Sequence, residues 1–199
     1  MSVTVDHQPL PAEQMGLKTI GQVLAHIQKE RRLVVHVLLD GEEPDLNQLS
    51  KLKASPLIGH TLFIETTEPK KMAADVLEQV EGQLAEADRL TSEAVTFLRE
   101  NQNIKAMEKL RGCFSTWHYA QESVLKVAQL LRIDLGRILV DGRPFSQVLG
   151  EFTQNLKLIK TALENRDFVS LVDTLVYEVS DSSANWRAAI RSMKSVIGA

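Results

Sequence analysis

From Pro69 to the end of the chain, apolar residues recur in steps of three and four along four successive stripes. The first runs Met72, Val76, Val80, Leu84, Ala87, Leu90, Ala94 and Leu98, and the second Ile104, Met107, Leu110, Phe114, Trp117, Val124, Ala128 and Leu131. The third runs Phe145, Val148, Leu149, Phe152, Leu156, Ile159 and Leu163, and the fourth Phe168, Leu171, Leu175, Val179, Trp186, Ile190, Met193 and Ile197. A helix with one apolar side must bury that side against another element. Helices joined by short turns do so by lying alongside each other. The pattern therefore predicts a mainly α fold whose larger part, residues 69–199, is an antiparallel up-down four-helix bundle. Its helices are expected at about 69–101, 103–132, 144–165 and 167–197.

The turns support this reading. Pro69 suits a first helical turn, where its missing N–H has no partner to lose. Glu100-Asn101-Gln102-Asn103 and Glu164-Asn165-Arg166-Asp167 look alike. In each, the first Asn is expected to end a helix in the left-handed conformation, and Asn103 or Asp167 to cap the next. The third helix is the shortest, so Ile138, Leu139 and Val140 of the connection before it are expected to cover the groove it leaves open. Val124, Leu125, Val127, Ala128, Leu130 and Leu131 make the end of the second helix apolar nearly all round, a segment expected to be covered on every side.

Upstream, residues 17–68 read as a small α-β-α-β unit. Leu17, Ile20, Val23, Leu24 and Ile27 have helical spacing, with Thr19 as the expected N-cap. Leu33 to Leu39 is dense in β-branched residues and stops at Asp40-Gly41. Asp45 can cap a short helix carrying Leu46, Leu49 and Leu52, and a second strand follows from His60 to Thr67. Two strands alone are marginal, so a third is expected from Ile138 to Asp141 or from a partner subunit. The unit is expected to dock at one pole of the bundle. Residues 1–16 carry two prolines, show no periodicity and are expected to be a flexible tail.

Charge and composition narrow the functional classes. The net charge is −3, with basic and acidic residues interleaved, so no concentrated basic face points to nucleic acid. The longest apolar run, Leu33 to Leu39, is too short to span a bilayer, and residues 1–15 lack a secretory pattern. With Cys113 the only cysteine, no internal disulfide can form. The expectation is a cytoplasmic protein without nucleic-acid or membrane partners.

Catalytic and cofactor signatures are absent from the sequence: there is no phosphate-binding loop and no Glu-x-x-His pair of the di-metal bundles. No catalytic, cofactor-binding or metal-ligating residue is assigned. His26 and Glu30, and His118 and Glu122, are one helical turn apart, which suits surface pairs better than a two-ligand metal site. His36 interrupts an apolar strand and is expected on its less buried face, bonded to a neighbour. Asp173, Tyr177 and Asp181 share one helical face, as the rim of a polar cleft or as an interhelical hydrogen-bond network. Gly112, Ser115 and Tyr119 share another, where small residues could admit a second helix, a homodimer contact included. Trp117 and Trp186 are expected in the core, each indole N–H finding an acceptor.

The stretch Ala162-Leu-Glu-Asn-Arg-Asp167 with Leu171, Asp173, Leu175, Tyr177, Glu178 and Trp186, together with Leu39-Asp40-Gly41, resembles a family of uncharacterised bacterial proteins with an N-terminal α/β unit and a C-terminal helical bundle. The resemblance implies a bacterial source and the two-part architecture, and brings no activity or residue role.

The expected function is a non-enzymatic interaction module (adaptor, assembly factor or chaperone-like) with a protein partner, a homodimer being one form. The alternative is a small-molecule sensor or enzyme with its site between the α/β unit and the bundle. An interaction module should expose an apolar groove, whereas an enzyme should close a pocket around converging titratable groups.

Overall fold

Val3 and Val5, two residues apart, set the start of the fold. In the computed structural model, which describes residues 2–198 and every side chain among them except that of Leu46, Ser2–Val5 form strand β1. A turn with positive φ at Asp6 (49°) and His7 (63°) leads into β2, Gln8–Pro9. Two such residues in succession are the mark of a tight two-residue hairpin. β1 pairs in parallel with β4, Thr61–Thr67, placing Val3 beside Leu62 and Val5 beside Ile64. The expected flexible tail is thus corrected: Val3 and Ala12 are buried, and Leu10 and Leu17 pack on the same core. Four residues are too few to display a period, and an Asp-His turn lacks the usual glycine signal.

The chain divides into two compact units, Met1–Met72 and Ala73–Ala199. The first holds a four-stranded sheet in the order β2-β1-β4-β3, with β3 spanning Leu33–Leu39. β3 runs antiparallel to β4, with a bulge between Val34 and His36 that leaves Val35 half exposed. The third strand expected from Ile138–Asp141 or a partner is instead β1. Helix α1, Ile20–Lys29, opens with a capping box in which Thr19 and Gln22 bond each other's backbone. It buries Ile20, Val23, Leu24 and Ile27 in one cluster with Val3, Leu62 and Ile64. A 3₁₀ turn, Leu46–Gln48, capped by the Asp45 carboxylate, leads into α2, Leu49–Ala54. α1 and α2 approach so closely that a Cβ on Gly21 would stand 2.7 Å from the Lys53 carbonyl oxygen.

The second unit is helical: α3 (Pro69–Arg99, beginning in the first unit), α4 (Asn103–Leu131), α5 (Phe145–Glu164), α6 (Phe168–Asp173) and α7 (Ser180–Gly198). A π-helical turn, Thr174–Val179, joins α6 to α7 without a break. Core positions explain it. Leu171, Leu175, Val179 and Ser183 are all buried and four residues apart. At 3.6 residues per turn such spacing drifts around the helix; the wider i→i+5 turn takes up the drift. The core contains an aromatic chain in which Trp117 packs edge-on against Phe152 at 5.6 Å, Phe152 meets Trp186 at 5.4 Å and Trp186 meets Phe145 at 5.6 Å. Neither indole N–H has an acceptor among the described residues, contrary to expectation.

Other expectations need adjustment. Met72 and Ile104 are exposed, so the first two stripes begin at Ala73 and Ala106. Between α4 and α5, Leu139–Val140 (β5) pairs with Arg143–Pro144 (β6) around Asp141-Gly142. Ile138 and Val140 join the core as expected, while Leu139 faces out. Leu125 and Leu130 are exposed, so the end of α4 is not covered on every side. At the α3–α4 turn Asn101 is left-handed as expected, but at the α5–α6 turn the left-handed residue is Arg166, with Asn165 still right-handed. Both turns close with the same six-residue bond, from Gln102 N–H to the Phe97 carbonyl and from Asp167 N–H to the Ala162 carbonyl. That bond requires the left-handed residue just before its donor, whatever the side chain. Asp167 caps α6 through the Ser170 N–H, whereas Asn103 lies inside α4.

Candidate functional site

Asp173, Tyr177 and Asp181 come to lie along the segment containing the π turn, and all three are exposed. Among the described residues they form no hydrogen-bond network. An interhelical polar contact lies on a neighbouring face, where buried Asn155 of α5 donates to Ser182 Oγ at 2.9 Å and to the Glu178 carbonyl at 3.3 Å. Asn155 stands among the apolar positions of α5, and a polar residue inside a core stripe was the signal available for it. Gly112 does admit another helix, but one of the same chain: a Cβ there would stand 3.2 Å from Leu90 Cδ1 of α3. Ser115 and Tyr119 are exposed, and the Ser115 hydroxyl is engaged with the Arg111 carbonyl.

The histidines find carboxylate neighbours. His26 Nε2 lies 3.4 Å from Glu30 and His118 Nε2 3.7 Å from Glu122. His36, partly exposed on its strand, bonds Glu43 at 3.0 Å. Among the described residues, no group of three or more His, Cys, Asp or Glu side chains is arranged to hold a metal ion. Cys113 is buried, and that burial pushes its thiol pKa upward. Its sulfur accepts from the Thr91 hydroxyl and its S–H points to the Ala87 carbonyl, both at 3.5 Å. A protonated, enclosed thiol is unreactive. No described helix is long and apolar enough to cross a membrane.

Two surface depressions stand out on the helical unit among the described residues. One, of about 350 Å³, lies between α4 and α5. Phe114, Leu156 and Leu163, each half-buried, surround buried Ile159 and form its floor. His118, Gln121, Lys160 and Glu164 make a polar rim of mixed sign. The other, of about 400 Å³, lies between α3 and the π turn, with Val95, Leu175, Val176 and Val179 below and hydroxyl and charged groups along its edges. Neither gathers a nucleophile, a base and an orienting partner in the manner of acyl or phosphoryl transfer.

No protein-family model, curated protein or solved structure matches this chain. The resemblance to bacterial two-part proteins therefore adds nothing to the functional reading, which rests on these surfaces. Both escaped sequence reasoning for one reason. Leu156, Ile159 and Leu163, like Leu175 and Val179, belong to regular core stripes, and periodicity tells which side of a helix is apolar without telling how far its neighbour covers it.

Proposed function

We propose that this chain is a non-enzymatic protein-interaction module, an adaptor, assembly factor or chaperone, that seats an amphipathic helix of a protein partner in the α4–α5 groove. The groove is the observation that carries the reading. A continuous apolar floor within a polar rim suits a helix presenting apolar residues at i, i+3 or i+4 and i+7. Its mixed rim, with Lys160 and Glu164 on one side and His118 on the other, can set the direction of that helix through charge pairing.

The scaffold we propose beneath it is the antiparallel up-down four-helix bundle. Cross-helix contacts support this. On α3 and α4, Glu93 pairs with Lys109, while Thr91 meets Cys113. On α3 and α7, Asp88 pairs with Arg187, and Glu78 and Glu81 with Lys194. On α5 and α7, Phe152 meets Trp186 and Asn155 meets Ser182. In each pair rising numbers on one helix meet falling numbers on the other.

Leu163→Glu tests the function. The side chain is only half-buried, so the variant is expected to keep its helical circular dichroism while placing a charge on the groove floor. Tagged wild type and variant are purified from the native cell and their bound proteins compared by mass spectrometry. A protein held by the wild type and lost from the variant supports the reading. Identical sets from both overturn it. A second copy of this chain is the other occupant the groove admits, and sedimentation velocity of both forms separates that homodimer from a foreign partner.

A further inference from the structure

The depression between α3 and the π turn carries a different inference. Its volume, about 400 Å³, lies within the range of small-molecule sites. Its apolar floor combines Val95 of α3 with Leu175, Val176 and Val179, so three of the four floor residues come from the π turn itself. Such turns are frequent at functional sites, and here the turn that fits the core spacing also shapes the floor of the depression.

Charge defines what would enter. Two charged residues line the depression, Asp88 and Arg99. Asp88 is neutralised by an ion pair with Arg187. Arg99 has no carboxylate partner among the described residues, and it extends from the last turn of α3 into the depression. The two stand eleven residues apart on α3, or about 16 Å at 1.5 Å per residue. The slot is therefore elongated, with its one uncompensated positive charge at one end. On the α3 wall the hydroxyls of Ser92 and Thr96 already donate to the Asp88 and Ser92 carbonyls, so toward the slot they offer acceptors only.

We infer that this slot binds a linear amphipathic monocarboxylate, its carboxylate on the Arg99 guanidinium and its hydrocarbon chain along Val95, Val176 and Val179. Planar guanidinium groups take carboxylates through paired charge-assisted hydrogen bonds. The acceptor-only α3 wall gives a second anionic group no donor, and Asp88, already paired with Arg187, supplies none, which separates a monocarboxylate from a dicarboxylate of equal length.

Isothermal titration calorimetry of the full chain with octanoate and suberate tests this. Octanoate is expected to bind at millimolar concentration or below, one molecule per chain, and suberate roughly tenfold more weakly or worse. Arg99→Gln, at an exposed site whose replacement leaves the core intact, should lose roughly tenfold or more of the octanoate affinity, as expected for a charge-assisted hydrogen bond. Leu163→Glu, in the other groove, should leave octanoate binding unchanged, so this inference and the protein-interaction reading fail separately. No octanoate binding, equal binding by Arg99→Gln, or octanoate lost only in Leu163→Glu each overturns the assignment.

Discussion

Phe152→Ala is the sharpest test of the helical core. Phe152 is 3% exposed and stands between Trp117 and Trp186, with ring centroids 5.6 and 5.4 Å away. Removing a buried Phe costs about 3–5 kcal/mol through lost transfer energy and the cavity left behind. Two aromatic pairs, each contributing about 0.5–1.5 kcal/mol beyond burial, place this site in the upper part of that range. We therefore expect a loss of about 4–5 kcal/mol in the stability of the unit Ala73–Ala199. With an m-value of about 4 kcal/mol/M in guanidinium chloride, the unfolding midpoint should fall by roughly 1 M. Trp117 and Trp186 both lie in that unit, so tryptophan fluorescence reports its unfolding alone. Val169→Ala, at a residue 75% exposed, is the control and should change stability by less than about 0.5 kcal/mol. A loss below about 1.5 kcal/mol for Phe152→Ala would show that the aromatic chain is not packed as described.

Two further predictions concern the N-terminal unit, which contains no tryptophan. Gly21→Ala gains about 1 kcal/mol in helix propensity, but its Cβ would meet the Lys53 carbonyl oxygen at 2.7 Å. Because the obstacle is backbone and overpacking costs about 1–3 kcal/mol, the net effect should be faster amide hydrogen exchange in Ile20–Lys29; unchanged or slower exchange would contradict the close helix approach. Asp6 accepts from the Thr66 hydroxyl at 2.6 Å, the Thr66 N–H at 2.7 Å and Arg32 at 3.0 Å. The Thr66 hydroxyl bond is the largest influence holding its carboxyl pKa below the ordinary Asp value, with partial burial opposing it. A depressed folded-state pKa contributes stability fully above the unfolded value and loses it as pH falls through the folded one. Asp6→Asn should thus weaken the Ser2–Val5 strand at neutral pH, as read by urea titration of its amide NMR signals, and the gap to wild type should close in acid. A gap independent of pH would remove the carboxylate from the account.

The parts of the fold that could be read in advance are those with long periodic signals. The four stripes carry enough residues that a few exposed members, such as Met72 and Ile104, do not obscure the period. β1 is four residues long and turns through Asp6-His7, so neither period nor turn composition marks it; pairing with β4 orders it. The left-handed conformation falls on Arg166 rather than on Asn165 because the six-residue capping bond dictates its position. Side-chain preference, about 1–2 kcal/mol, is too weak to move it. Leu171, Leu175, Val179 and Ser183 are four residues apart in the sequence, but only packing decides whether a helix answers such spacing by exposing one member or by widening a turn. Asp173, Tyr177 and Asp181 share a face without hydrogen bonds among the described residues, because a common face brings side chains to one side without supplying partners across it.

The proposal that the α4–α5 groove seats a protein partner is tested most directly by hydrogen exchange on the complex itself. Amide exchange is compared for the free chain and for the chain bound to the protein that Leu163→Glu fails to capture. The account predicts slowed exchange concentrated in residues 114–121 and 156–164, the two walls of the groove. Protection confined to other elements, with both walls exchanging as in the free chain, would contradict it.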